Sequence, residues 1–234
     1  MAEARTKACF SCEAVRALFV VSIALSSAAA LGADARVEEA LAQGGLQKTT
    51  VKGIDLAYVR PGAKLASYDK VIVEPVQVSF SAAWKPKRIG SSLPLPEDER
   101  ERIRAGVARI VHEEFVRELG AKSSYRVVTS AGPDVLRVKP DIVNLYVTAP
   151  DTGSAGRSRT YSASAGQMTL VAELSDAASG EVQARLVDRR EAQRSGAMRL
   201  SSTVENSEEA RTIAAAWARA LRAAMDRAHG IGGK

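Results

Sequence analysis

The chain is poor in the side chains that most often carry chemistry. Its 234 residues include two cysteines and two histidines, and aromatic residues make up 5%. Both cysteines, Cys9 and Cys12, precede the first long apolar run, so a chain that starts near Ala33 contains none. Such a chain can have no disulfide, no thiol nucleophile and no thiolate metal site. With few aromatics, its core has to be built mainly from Val, Leu, Ile and Ala.

The scarce histidines also limit metal and acid–base chemistry. His112 opens the string HEEFV, which begins like the zinc motif H-E-x-x-H but has Val116 at the second ligand position. His229 stands in the last turn of a predicted helix, where a partial positive charge is favourable. No serine lies in a G-x-S-x-G elbow, and the terminal GIGGK follows a helix instead of preceding one. We therefore predict no metal, no cofactor and no catalytic set.

The N-terminus predicts export. Basic residues precede the apolar run ALFVVSIALSSAAALG, residues 17–32, which is too short for a comfortable membrane span. Ala30-Leu31-Gly32 fits the small-residue rule for cleavage before Ala33. We expect residues 1–32 to be a cleaved signal peptide, and the alternative is an uncleaved membrane anchor. Because position 33 is not cysteine, we predict an unlipidated periplasmic or secreted protein with no transmembrane segment after cleavage.

The rest of the chain predicts one domain. Residues 33–50 are expected to be a flexible lead-in, residues 51–230 a single domain, and residues 231–234 a frayed tail. Pro96 and three following acids predict the start of a helix that ends at Gly120. A second helix is predicted from near Asn206, with Glu209 as its capping-box partner.

Alternating apolar residues predict the strands between and before these helices. One strand is expected over Lys70–Phe80, bulged at Pro75 or at an edge of the sheet because proline cannot donate a backbone hydrogen bond. A long strand from Val135 changes its apolar parity, which predicts a bulge near residues 140–143. Two further strands alternate over residues 167–176 and 181–188. The fold class is therefore α+β, with a mostly antiparallel sheet and two main helices packed on one face.

Two loops carry clustered basic residues. The net charge is +6, but basic and acidic residues alternate over most of the chain, so nucleic acid is not an expected partner. In one of these loops Trp84 lies beside basic residues, and such a cation-plus-aromatic group can bind a partner or an anionic surface. The alternative is solvated loop charge with the indole folded back on the sheet. The candidate binding residues are Trp84, Lys85, Lys87, Arg88, Arg157 and Arg159.

Four acids crowd the string ELSDAASGEVQARLVD, Glu173 to Asp188. If its two strands pair with Leu174 opposite Val182, Asp176 accepts from turn amides and Gly180 takes a positive φ. Glu173 and Glu181 then lie on the outer face. Asp188 points inward opposite Met168, which leaves its role unexplained. In a protein that is not an enzyme, Asn at positions 176 and 188 should destabilise the fold only slightly.

Three strings together resemble a bacterial family. YDKVIVEPV (68–76), GPDVLRVKPDIVNL (132–145) and AELSDAASGEVQAR (172–185) are similar to the envelope proteins grouped as domain of unknown function 3313. The resemblance covers about residues 50–225. It implies an exported protein, often a lipoprotein in this family, with no established activity and no catalytic residues to transfer.

The expected function is that of an exported, non-enzymatic envelope protein that binds an envelope protein or surface. One alternative is a periplasmic hydrolase that uses the carboxylates around Asp176, Glu181 and Asp188. The other is an anion or envelope-surface binder that uses the basic loops.

Overall fold

A computed structural model describes residues 30–87, 92–121, 125–147, 161–162, 164–193, 199–200 and 203–231. Arg88, Arg157, Arg159, both cysteines, most of the predicted signal peptide and tail residues 232–234 lie outside these ranges. The chain divides into two units, Met1–Val37 and Glu38–Lys234, and all strands belong to the second. No helix among the described residues is both long enough and apolar enough to cross a membrane.

The described helices are α1 (Ala30–Ala42), α2 (Glu97–Gly120) and α3 (Thr203–Ala228), with a 3₁₀ turn at Leu65–Ser67. Helix α2 has the predicted bounds, and its first turn carries the three acids that complement the helix dipole. Helix α3 begins three residues before the predicted start, so the capping box at Asn206 and Glu209 is wrong. Thr203 and Asn206 are both residue types that favour the start of a helix, so the sequence does not distinguish them.

Eight of the described strands form one mixed sheet in the order β1-β2-β9-β8-β6-β3-β5, and β4 also pairs with β6. Two further strands, β7 and β10, pair with each other. The strand bounds are β1 Gln47–Thr49, β2 Leu56–Val59, β3 Lys70–Val73, β4 Val78–Phe80, β5 Arg126–Val127, β6 Val135–Val147, β7 Tyr161–Ser162, β8 Ser164–Asp176, β9 Val182–Gln193 and β10 Arg199–Leu200.

The α+β class is confirmed, and the sheet is mixed. Pairings among β1, β2, β9, β8 and β6 are antiparallel, whereas β3, β4 and β5 pair in parallel. The parallel part follows from α2, because a helical crossover returns the chain to the same end of the sheet. Two sequence predictions change here. The strand predicted over Lys70–Phe80 is two strands separated around Pro75, and the predicted lead-in contributes β1, which pairs with β2.

The long strand β6 contains the predicted bulge, a little beyond the predicted position. Its pairing with β8 shifts between Val143 and Tyr146, and Asn144 there has a φ of 55°. The buried side chains change parity at this point, from Ile142 before the shift to Leu145 after it. The extra residue keeps both halves of the strand facing the core.

The core lies between one face of the sheet and helices α2 and α3. Trp217, Phe115, Leu119 and Met225 from the helices are fully buried. They belong to one cluster with Leu136, Ile142, Leu170 and Leu174 from the central strands. Burial of these side chains is the main stabilising contribution to the fold.

Gly166 of β8 lies opposite Val147 of β6, close to the bulge, where the two strands pack tightly. It has a φ of +145°, and a Cβ there would lie 2.1 Å from the carbonyl oxygen of Tyr146. We expect Gly166→Ala to lower the free energy of unfolding by about 3 kcal/mol in urea titrations. Gly106→Ala is the control, since a Cβ there meets nothing within 4 Å and should stabilise α2 by about 0.5–1 kcal/mol. Equal effects of the two changes would contradict this account.

Candidate functional site

Asp188 is the acid whose surroundings differ most from what the sequence predicts. It lies on β9 with its side chain inward, and only 2% of its surface is exposed. The predicted register is wrong, because Asp188 lies opposite Leu170 and not opposite Met168. The cause is a register shift near the turn, where Leu174 faces Ala184 and not Val182.

The buried carboxylate of Asp188 accepts hydrogen bonds from three parts of the chain. The backbone N–H of Asp55 donates to Oδ1 at 2.8 Å. Oδ2 accepts from the guanidinium Nε of Arg190 at 2.8 Å and from the indole Nε1 of Trp217 at 2.6 Å. Burying a carboxylate is costly unless such donors satisfy it. The network therefore joins the loop before β2, the strand β9 and the helix α3.

An open groove of about 840 Å³ lies beside this network. Arg190 forms part of its wall and is held in place by a second hydrogen bond, from Nη2 to the carbonyl oxygen of Gly53 at 2.8 Å. Helix α3 contributes an apolar wall through Ile213 and Ala216. The lining residues within the described ranges are Gly53, Ile54, Asp55, Asp188, Arg189, Arg190, Glu191, Glu209, Thr212, Ile213 and Ala216.

Asp55 lies where β2 stops pairing with β9, so that beyond this point β9 has no neighbour on the β2 side among the described strands. Strand β2 pairs with β9 from Leu56, opposite Val187. Just before Leu56, the carboxylate of Asp55 takes the role that a backbone carbonyl of β2 would have. Its Oδ2 accepts from the backbone N–H of Arg189 at 3.0 Å. Strand β9 continues beyond this point to Gln193. The groove is therefore bounded by the part of β9 that extends past β2.

Asp176 forms the predicted turn. Its Oδ1 accepts from the backbone N–H groups of Ala178 at 3.0 Å and Ser179 at 2.7 Å, and Gly180 has a φ of +75°. These bonds, the Ser179 amide first, hold the pKa of Asp176 below its usual value. Its Oδ2 accepts from the hydroxyl of Tyr68, and burial together with this bond raises the pKa of Tyr68 to about 12.

The four acids of the hairpin do not form one catalytic cluster. Asp188 lies opposite Leu170, and Asp176 lies six positions after Leu170 on β8. That places the two carboxylates about 20 Å apart along the strand, whereas a glycosidase pair requires about 5–10 Å. Glu173 and Glu181 are on the outer face as predicted, and they pair with Arg185 and Arg60.

The predicted basic cluster is only partly described. Trp84 is 5% exposed, its indole Nε1 donates to the carbonyl oxygen of Val147 at 2.8 Å, and its ring stacks on Phe80 at 4.1 Å. Lys85 and Lys87 beside it are exposed. The indole thus packs against the sheet, as the alternative interpretation predicts. The arginines of the cluster lie outside the described residues. Binding by this cluster stays a prediction.

Neither histidine joins a metal-binding group. His112 Nε2 lies 3.3 Å from the carbonyl oxygen of Val73, and His229 Nδ1 lies 2.9 Å from that of Met225. Within the described ranges, no three His, Cys, Asp or Glu side chains gather in a way that could hold a metal ion.

Sequence reasoning missed the partners of Asp188. Its inward parity was the available signal, but Asp55 is 133 positions away and Trp217 is 29 away. Trp217 lies at helical spacing from Ile213 and Leu221, which predicts only that it is buried, and no motif includes Asp55. A buried acid predicts donors without saying which ones.

Comparison with known families identifies the chain. The model described as "Protein of unknown function (DUF3313)" matches residues 38–221. The chain belongs to this family. The resemblance seen in the three sequence strings is therefore confirmed, and the DUF3313 match includes β9, α3 up to Leu221 and the groove between them.

Solved structures give only distant similarities to this DUF3313 protein. A DUF330 protein from Xanthomonas campestris is 12% identical with a TM-score of 0.38, covering 65% of this chain and 80% of that one. The PelC dodecamer from Paraburkholderia phytofirmans is 14% identical with a TM-score of 0.33, covering 76% of this chain and 96% of that one. Both scores are low, and neither function nor assembly carries over from them. Comparison with curated proteins finds no match.

The Asp188 network predicts a large effect of a small substitution. Asp188→Asn keeps the shape but removes the charge that pairs with Arg190, and it sets an amide against donors. We expect the free energy of unfolding in urea to fall by about 3 kcal/mol, more than the sequence alone suggested. Glu173→Gln, which removes a partly exposed pair with Arg185 on the neighbouring strand, should cost less than about 1 kcal/mol. A loss at position 188 no larger than at 173 would refute the structural role.

Asp176 predicts a pH-dependent contribution to stability. Because its pKa is lowered in the folded state, its charge stabilises the protein above the ordinary carboxyl pKa of about 4, and this is lost as pH falls. The stability difference between the wild type and Asp176→Asn should be constant from pH 5 to 7 and shrink below pH 4. Urea titrations across this range measure it, and a difference that grows on acidification would contradict the assignment.

Proposed function

We propose that this DUF3313 protein is exported to the cell envelope and acts there as a binding module through the groove beside Asp188. The basic N-terminus, the short apolar run and the small residues before Ala33 support export. The family resemblance adds support, because it implies exported proteins without an established activity.

The observation that carries the binding role is the construction of the groove. Both carboxylate oxygens of Asp188 accept hydrogen bonds from its three donors, and one oxygen of Asp55 accepts from the Arg189 amide. These acids hold the walls in position, and a rigidly supported concave surface is a feature of binding sites. The separation of Asp176 from Asp188 does not support the hydrolase alternative, which needs a close carboxylate pair within the hairpin.

Export is tested by producing the full chain with a C-terminal tag in a bacterium that has a periplasm. We expect osmotic extraction to release a protein whose mass corresponds to a start at Ala33. The control lacks residues 2–32 and should stay in the cytoplasm. Recovery of the full-length mass from the inner membrane would favour the uncleaved anchor and contradict our proposal.

The same strain tests binding at the groove. A photo-crosslinking amino acid replaces Thr212, which is exposed on the groove wall, or Glu113, which is exposed on α2. We expect discrete crosslinked species from position 212 and none from position 113, because only position 212 adjoins the groove. Equal crosslinking at both positions, or none at either, would refute a groove-specific binding role.

A further inference from the structure

We propose that the groove binds an extended peptide of a partner protein, which pairs with the free edge of β9 and alternates basic and apolar side chains. The inference rests on the proposed binding function and specifies its ligand class. Three features carry it: the backbone of β9, the wall formed by α3 and the charge of the lining.

The backbone of β9 offers an edge in the groove that none of the described strands covers. Arg60 donates its N–H to the carbonyl of Gln183 at 2.8 Å, so the odd-numbered residues of β9 direct their backbone groups toward β2. Arg189 follows this alternation and is satisfied by Asp55. Glu191 is next in the alternation, and no described strand pairs with it on that side. Unpaired edge groups are a template for an added strand.

Helix α3 gives the added strand an apolar side. Ile213 and Ala216 line the groove, on the same side of the sheet as the buried Asp188. Side chains of a strand alternate between the two faces of a sheet. Alternate residues of the peptide would therefore face these two side chains, and apolar residues would bury their surface there.

The charge of the lining selects basic residues for the other face. The described residues of the lining include two arginines and four carboxylates, a formal charge of −2 on a chain whose total is +6. Arg190 is paired with Asp188, and Arg189 donates to Gln167 at 2.6 Å. Glu191 is exposed, and its carboxylate has no ion pair within the described part of the chain. A basic side chain directly across from Glu191 is the favourable neighbour.

Peptide titrations on the full chain test the proposal. We expect an acetylated Lys-Val-Lys-Val-Lys amide to bind, and its Glu-Val-Glu-Val-Glu counterpart to bind at least about tenfold more weakly. N-methylation of the backbone amides that face β9 should weaken the lysine peptide about fivefold or more, because it removes strand hydrogen bonds. Binding that ignores N-methylation would reduce the contact to charge alone and overturn the proposal.

Glu191 provides the matched substitution. Glu191→Lys should reverse the preference between the two peptides. Glu39→Lys makes the same charge change at an exposed position of α1 and should leave the preference as it is. An equal response of both variants would overturn the proposal.

Hydrogen exchange of the Glu191 amide identifies the occupant of the edge. We expect fast exchange in the free protein and slow exchange with the lysine peptide. Slow exchange in the free protein would overturn the proposal: if it persists on dilution, the chain covers its own edge, and if it disappears, a second copy does. Crosslinking at position 212 without peptide binding would reject strand addition while leaving the binding function intact.

Discussion

The pairing of one buried carboxylate organises the part of the molecule on which its proposed function depends. The Asp188 side chain is almost fully enclosed, so the fold is stable only if donors reach both of its oxygens. Those donors come from the loop before β2, from β9 itself and from a fully buried indole on α3. Satisfying this carboxylate therefore holds three elements in one arrangement.

The groove is a consequence of the same requirement. With the N–H of Asp55 bound to Asp188, the carboxylate of Asp55 lies where it can accept from the Arg189 amide. That contact ends the pairing of β2 with β9, and β9 continues beyond it. The open edge and the α3 wall thus share a cause with the stability of the core. A substitution in the network is expected to affect both.

Local features of the fold were predictable because neighbouring residues determine them. The acids after Pro96 and the Asp176 turn with Gly180 both have their predicted form. Features that depend on distant partners were not. The register opposite Leu174 shifted because the turn admits an irregularity that alternation does not reveal. The pairing of β1 with β2 needed the three-dimensional sheet, since β1 is short and fully exposed.

The sequence alone determined the α+β class, the main helix α2, the family and the inward parity of Asp188, because apolar periodicity and short strings of residues are local signals. Tertiary structure decided the mixed topology of the sheet, the partners of Asp188 and the existence of the groove. These depend on contacts between residues up to 137 positions apart, such as Gly53 and Arg190. Their geometry exists only once burial of the core has brought the strands and α3 together.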